Sequence, residues 1–576
     1  MVSKSMNYIV TAQLFFVSFL NQYPHLSLLL LTLPLLLTGN GHDSLLPHDE
    51  GYYAIQARWI LETKNWLAPQ FWGTPIYDRT IGLQWLIAIS YHLFGISEFS
   101  SRLPSLISCI ICILLTYEIG KITVNKQVGW LAAFILLLMA KWISESRLVQ
   151  QNISLVAIEL IGIYALLKAE EVSNGYAKNK IYLALIAGIT VGFGFLMKGF
   201  MIALPIVAIA PYLLLQNKRH KHLLNPGIYI GLIIGSIPVI LWLGLSCLKY
   251  GLLPLQDLFG KILLLSSIDT WNPGPLYYFW NIPVNSFPWV FLSILGVIFI
   301  WKVPNLRNNK RLTLLIGYPV VLFILLSFFR TRTHYYPVQM LPFVAILVAI
   351  FFENVEYIAQ SYYLRLRQTI SFTFYFFTVL GILLFFAGVI VIYQNNLFGL
   401  KITPEIKIYG FSAIILGIGW STINLTWKKR NNLPKQSWLN SWLISPWLTI
   451  LMVGLMGVWS DKIPEFKKSI QQPNIIQVIK SHPINFVVDF PENTKNINQN
   501  ILNNNYDENL SKQLISLTYY TPKLGQKIQI NKLKKNNYAW VSPKVKKFLL
   551  SQNKNQYKTQ HQVLGSVEGW DLVYKK

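Results

Sequence analysis

Along the first 460 residues, apolar positions come in long runs rather than in strict alternation. Thirteen stretches approach the ~17–25 residues that cross a hydrocarbon core about 30 Å thick. They lie near 24–39, 103–121, 128–143, 150–168, 181–197, 199–215, 227–249, 285–301, 311–329, 335–352, 370–393, 408–427 and 438–459. The two that meet at Lys198–Gly199 read equally well as one broken helix. From residue 461 the hydropathy collapses and short runs replace long ones. These predict strands at Phe486–Phe490, Tyr538–Val541 and Trp570–Tyr574, and helices at Ile475–Lys480 and Lys544–Leu550. The Asn-rich stretch 493–512 predicts a loop. The fold class is therefore a polytopic α-helical membrane protein of about 13 spans with a small C-terminal extracytoplasmic α/β domain, just large enough for its own core. The domains are 1–460, a transmembrane domain that includes outer loops 40–102 and 250–284, and 461–576, a soluble domain.

Composition agrees with the runs. Hydrophobic residues make up 53% and charged residues 13%, about half the ~25% charged fraction of a water-facing globular chain. Yet 50 Lys+Arg against 24 Asp+Glu leave a net charge of +26, an excess that would suit a nucleic-acid binder. Its distribution argues otherwise, and no nucleic-acid partner is expected. With the N-terminus cytoplasmic, nineteen cations fall in inner segments, among them Lys218, Arg219, Lys221, Lys302, Arg307, Lys310 and Arg311. Six fall in short outer connections: Arg147, Lys198, Arg330, Arg332, Lys401 and Lys407. That bias orients the chain in the cell (inner or plasma) membrane, and an odd number of spans puts the C-terminus outside. The first span has one early cation and no A-x-A-like cleavage site, so it reads as a retained anchor. The tail, with 18 Lys, no Arg and 8 acids, carries +10 of the total. Cys109, Cys112 and Cys247 lie in or at spans, so no disulfide framework is expected outside.

Three groups of residues could carry chemistry. Just beyond the first span stands Pro47-His48-Asp49-Glu50-Gly51-Tyr52-Tyr53, where adjacent carboxylates could act as a general base or hold a cation. An ordinary solvated acidic loop accounts for the same residues. His42, Asp43, His48, Asp49 and Glu50 lack regular ligand spacing, so a divalent metal is a minor option and no cofactor is required. The second group is cationic: Arg79, Lys198, Arg330 and Arg332, with His334 beside them. Lys198 interrupts an almost uncharged stretch from 181 to 216 and precedes Gly199, which permits a break. Ionisable groups at membrane depth mark a pathway or a ligand, although snorkelling from a helix end is the plainer account. Converging cations would suit a phosphate. The third group, Asn272-Pro-Gly-Pro-Leu-Tyr-Tyr278 and Phe287-Pro-Trp289, reads mainly as an interfacial belt. The aromatic-rich loop 40–102 predicts helices lying in the interface plane.

Taken in order, these features resemble a family. An Asp-Glu pair follows the first span; then come an aromatic loop with a cation, Arg102-Leu-Pro-Ser105, a Lys-Gly at a span end, Gly-Pro-x-x-Tyr-Tyr, Pro-Trp, and a basic run leading to Tyr336-Pro337. This set, over most of 40–345, resembles the bacterial membrane glycosyltransferases related to protein O-mannosyltransferases and to the lipid A aminoarabinose transferase, which share the GT-C fold. The resemblance implies an enzyme that moves a sugar from a polyprenyl-phosphate donor to a lipid, protein or glycan acceptor on the outer face, by inverting displacement. It implies Asp49 as the catalytic carboxylate with Glu50 beside it, and Arg79, Lys198, Arg330 and Arg332 on the donor phosphate. His334, Tyr336, Tyr52 and Tyr53 are then supporting residues. Two departures stand out: Arg79-Thr80-Ile81 lacks the family's proline, and Asn152, after Arg147, replaces a family Asp. A transporter or flippase of lipid-linked sugars is the alternative, and it would spread polar residues to the midplane of several spans. A sensor or scaffold with a basic tail would explain the tail but not the loop.

Overall fold

The computed structural model of the chain describes residues 22–172, 177–267, 274–397, 399–433, 437–458, 461, 463–488 and 508–576. Each of the thirteen apolar stretches coincides with helix, in places bent or broken. Among the described residues seven helical runs are long and apolar enough to cross a bilayer: Glu98–Thr123, Gln151–Glu171, Ala177–Leu215, Pro226–Tyr250, Tyr336–Gln360, Leu364–Tyr393 and Pro404–Lys428. Two further runs qualify only as bent pairs, Lys126–Leu137 with Ala140–Ser146 at 69° and Tyr277–Asn285 with Trp289–Lys302 at 98°. Pro24–Leu37, Leu312–Phe328 and Asn440–Leu455 are apolar but shorter. The chain is a multi-pass integral membrane protein.

Tertiary contacts divide it into two compact units. The first comprises 1–40, 77–83 and 102–459. Its tightest helix pair, Ala177–Lys198 on Pro226–Tyr250, is built on glycine. Gly188 and Gly192 on one helix meet Gly231 and Gly235 on the other, and a Cβ at Gly192 would sit 1.9 Å from the Gly235 carbonyl oxygen. Both pairs have the G-x-x-x-G spacing. In lipid, helices gain little from hydrophobicity and rely on such close backbone approach. At Lys198 the first of these helices stops, because Gly199 turns into the left-handed region (φ 58°). A 3-10 turn Gly199–Ile202 then leads into Ala203–Leu215.

The second unit comprises 41–76, 84–101 and 460–576. It thus joins the first long loop to the C-terminal region, two stretches far apart in sequence. Strands β1 (Ile484–Val487), β2 (Leu524–Ile528), β3 (Tyr538–Val541), β4 (His561–Val567) and β5 (Trp570–Lys575) form one sheet in the order β2-β1-β3-β5-β4. Both neighbours of β1 run parallel to it, while β5 is antiparallel to β3 and β4. Period-two alternation sorts the side chains. Ile484, Phe486, Trp540 and Leu572 enter one core with Ile475 and Leu517, whereas Val487, Ala539, Val541 and Val573 enter the opposite one with Val545.

Two sequence-based expectations change here. The first strand is Ile484–Val487 rather than 486–490, and residues 489–490 lie outside the described residues. Of the expected loop 493–512, residues 493–507 lie outside them too, but 508–512 begin the helix Glu508–Tyr520. Leu510, Leu514 and Leu517, spaced i, i+4, i+7, give that helix a stripe on the core. Two aromatic residues of the first loop, Trp59 and Trp72, find protein partners. In the helix Tyr52–Thr63, Trp59 meets Trp72 (5.7 Å between ring centroids), and Trp72 meets Phe486 of β1 (4.8 Å). Buried Arg58 donates to the carbonyls of Thr518 (3.2 Å), Thr521 (2.9 Å) and Pro522 (2.6 Å). This guanidinium ties loop to tail through three charge-assisted hydrogen bonds, which are stronger than neutral ones.

Candidate functional site

In the second unit, Pro47–Gly51 forms a single π-type turn that feeds directly into the helix Tyr52–Thr63. Such one-turn π elements recur at functional sites. The turn gives its neighbouring carboxylates different surroundings. Glu50 is fully buried, and its Oε2 accepts from the Leu46 amide at 2.8 Å. Asp49 is half-buried and His48 exposed. Tyr53 is buried and Tyr52 half-buried. Gly51 admits no larger residue cheaply, because a Cβ there would lie 2.9 Å from Ile515 Cγ2. Among the described residues no three His, Cys, Asp or Glu side chains are placed to hold an ion, and Glu50 is turned to the backbone.

In the first unit, Lys198 is the centre of a polar network. Its ammonium donates to Asn152 Oδ1 and lies 5.4 Å and 5.2 Å from the ring centroids of Tyr335 and Tyr336. Asn152 Nδ2 donates to Gln150 Oε1 (2.6 Å) and to Glu145 Oε2 (3.3 Å). Glu145 Oε1 accepts from Lys141 Nζ at 2.6 Å, and Lys141 Nζ lies 2.5 Å from His334 Nδ1. Behind them, buried Glu159 accepts from Gln339 Nε2 (2.8 Å) and from the Tyr318 hydroxyl (3.1 Å). A narrow crevice beside Lys198 is lined by Asn152, Lys198, Met201, Tyr335, Tyr336, Val338 and Gln339. A cation held by a neutral amide and two aromatic faces keeps its charge uncancelled by direct ion pairing. It can therefore receive an anion.

Arg79 lies within electrostatic range of Lys198 and Tyr336. Its guanidinium approaches Asp78 at 3.7 Å, and Gln151 Nε2 steadies the same segment through the Thr80 carbonyl at 3.3 Å. Tyr77, next in the chain, has its hydroxyl pushed up to about 12 by burial. Arg330 is exposed. Arg332 donates to the carbonyls of Ser327 (3.2 Å) and Arg330 (3.4 Å), so it caps the C-terminal end of the helix Leu312–Phe328. Neither arginine lines the crevice. The structure thus brings Lys198, Tyr336 and His334 into one network with Arg79 nearby, and sets Arg330 and Arg332 at a helix end.

Sequence reasoning missed Lys141, Glu145, Glu159 and Gln339. Glu159 was detectable, for it is the one charge between 150 and 167, the same signature that singles out Lys198. Glu145 and Lys141 were not, because an i, i+4 pair usually marks a solvated helix face.

Residues 78–243, which include Arg79, Glu145, Asn152 and Lys198, match the dolichyl-phosphate-mannose-protein mannosyltransferase family. The chain is 25% identical over 439 residues to the undecaprenyl phosphate-α-4-amino-4-deoxy-L-arabinose arabinosyl transferase of Yersinia enterocolitica, covering 74% of each chain. It is 24% identical over 435 residues to that of Serratia proteamaculans, covering 72% of this chain and 74% of the relative. The crystal structure of ArnT from Cupriavidus metallidurans bound to undecaprenyl phosphate superposes with a TM-score of 0.71 at 15% identity, over 95% of this chain and 97% of that one. The fold is that of a GT-C glycosyltransferase. With the sequence similarity over three-quarters of the chain, this makes the protein a membrane glycosyltransferase, and nothing in the comparisons favours a transporter. The GT-C architecture and the small C-terminal sheet domain are as the sequence predicts.

Proposed function

We propose that the chain transfers a sugar from a polyprenyl-phosphate donor to an acceptor on the outer face of the cell membrane, with its N-terminus cytoplasmic and its C-terminal unit outside. The observation that carries this reading is Lys198, a cation held by Asn152 and two tyrosine rings with no carboxylate among the described residues bonded to it, beside a narrow crevice. It lies inside the segment that matches a lipid-phosphate-dependent sugar transferase family. Lys198, with Arg79, holds the donor phosphate. As the bond from sugar C1 to the phosphate oxygen breaks, negative charge grows on the leaving polyprenyl phosphate, and preorganised cations stabilise that growth without reorganising. The acceptor oxygen bonds to C1 from the opposite face and gives its proton to Asp49. Asp49 is chosen over Glu50 because Glu50 is enclosed and occupied by the Leu46 amide. Side-chain cations supply the charge that a divalent ion supplies elsewhere, so the rate does not depend on added metal.

The test is transfer of radiolabelled sugar from polyprenyl phosphate by membranes carrying the chain. Wild type transfers label. Asp49→Asn abolishes transfer and leaves donor binding in place. Full transfer by Asp49→Asn would sink the assignment of Asp49.

A further inference from the structure

The Lys198 network contains a second carboxylate whose placement is not explained by folding alone. Glu145 has a side chain only 2% exposed, where a charge is costly to keep. Lys141 balances it at 2.6 Å. Its other oxygen faces not a cation but the Asn152 amide, at 3.3 Å. An asparagine amide is nearly symmetric in shape, and only its partners decide which end is nitrogen. A carboxylate accepts and never donates, so Glu145 obliges Asn152 to present Nδ2 toward it. Gln150 Oε1, 2.6 Å away, takes the other hydrogen of the same nitrogen. The carbonyl oxygen Oδ1 is thereby left facing Lys198. The series Lys141, Glu145, Asn152, Lys198 runs cation, carboxylate, amide, cation, each group oriented by the one before it.

We infer that Glu145 is a positioning residue for Lys198: through Asn152 it fixes the ammonium beside the crevice while keeping its own negative charge one residue away from that ammonium. A carboxylate bonded directly to Lys198 would neutralise the cation that must meet the donor. An amide with no carboxylate behind it would have its orientation set by Gln150 and Lys198 alone. Glu145 behind Asn152 avoids both.

The inference rests on Lys198 as the donor-phosphate group, and the experiment separates the two. Undecaprenyl phosphate binding and the kcat and KM of transfer are measured on the purified full chain for wild type, Lys198→Ala, Glu145→Gln, and Glu145→Gln combined with Asn152→Asp. Glu145→Gln weakens binding and raises KM about 10-fold, the scale of one charge-assisted hydrogen bond, with a smaller change in kcat. The double variant moves the carboxylate one step along the series, directly onto Lys198, where it offsets the cation, so it binds no better than Glu145→Gln. A double variant that recovers wild-type binding overturns the inference, because a carboxylate on Lys198 itself would then serve as well as one behind Asn152. If Lys198→Ala binds like wild type, the reading of Lys198 itself falls. If Lys198→Ala loses binding while Glu145→Gln keeps it, only the inference falls. Should Glu145→Gln fail to fold, Asn152→Leu cuts the same series while leaving the Lys141–Glu145 pair intact. It is expected to lose binding equally, and unchanged binding would overturn the proposal.

Discussion

Two clusters of buried charge in the first unit differ in one respect. Around Glu170, both carboxylate oxygens are filled: Oε2 accepts from Arg219 (2.8 Å) and Arg311 (3.1 Å), and Oε1 accepts from His222 (3.3 Å) and the Tyr212 hydroxyl. Around Lys198 the partners are an amide and two aromatic rings, and a narrow crevice lies beside the ammonium. The first cluster is closed and ties the segments 217–224 and 311 to the end of a long helix. The second holds an ammonium with no carboxylate among the described residues bonded to it and so has bonding capacity for a ligand. Burial of a charge therefore does not mark function here. Burial without a directly bonded counter-charge does.

The comparison can be broken from either side. Glu170→Ala leaves two arginines and a histidine facing one another without their carboxylate, a change that costs about 3–5 kcal/mol in buried ion-pair networks. A thermal melt in detergent is expected to fall accordingly, while the protein that remains folded transfers sugar at the wild-type rate per molecule. Lys198→Ala should do the reverse, lowering transfer by about 100-fold, the effect of losing one preorganised charge on a leaving group, with the melt almost unchanged. Arg332→Ala is expected to change donor KM by no more than about threefold, because its guanidinium is committed to helix-end carbonyls. A loss as large as that of Lys198→Ala would show that Arg332 reaches the donor after all.

The smallest effect is one of pH. His220, stacked on His222 at 4.2 Å between ring centroids, is pushed down to about 4 from 6.5, first by burial and then by repulsion from His222. Between those two values the unfolded chain takes up the proton and the folded chain does not, so stability declines as pH falls through that window and levels off below it. Melts at pH 7 and pH 5 should differ for wild type, and His220→Gln should lessen the difference.

Much of this was legible in the chain. The long apolar runs gave the helices, since in lipid nothing but a helix or a closed barrel satisfies the backbone. Lys198 was visible as a lone charge in such a run, and the tail's β3 was placed to the residue. The edge strands β2 and β4 escaped notice because each contains a glycine and several polar residues, so neither alternates clearly. The glycine seam of Gly188, Gly192, Gly231 and Gly235 carries a readable spacing, yet its meaning depends on which helices meet. The difference between Asp49 and Glu50 was hidden for a like reason: adjacent carboxylates look equivalent until a π-type turn directs one at a backbone amide. Likewise, the tail's +10 is uneven, with residues 461–522 carrying six Lys against six acids and 523–576 twelve Lys against two.

The most direct measurement is a titration of undecaprenyl phosphate onto the purified full-length chain, with wild type, Lys198→Ala and Glu170→Ala side by side below the melting point of the weakest. The Lys198 cluster should be the one that binds. Lys198→Ala should then lose about 100-fold in affinity, in step with its loss of transfer, and Glu170→Ala should bind as wild type does. Equal affinity for wild type and Lys198→Ala would contradict the assignment of this cluster to the donor phosphate.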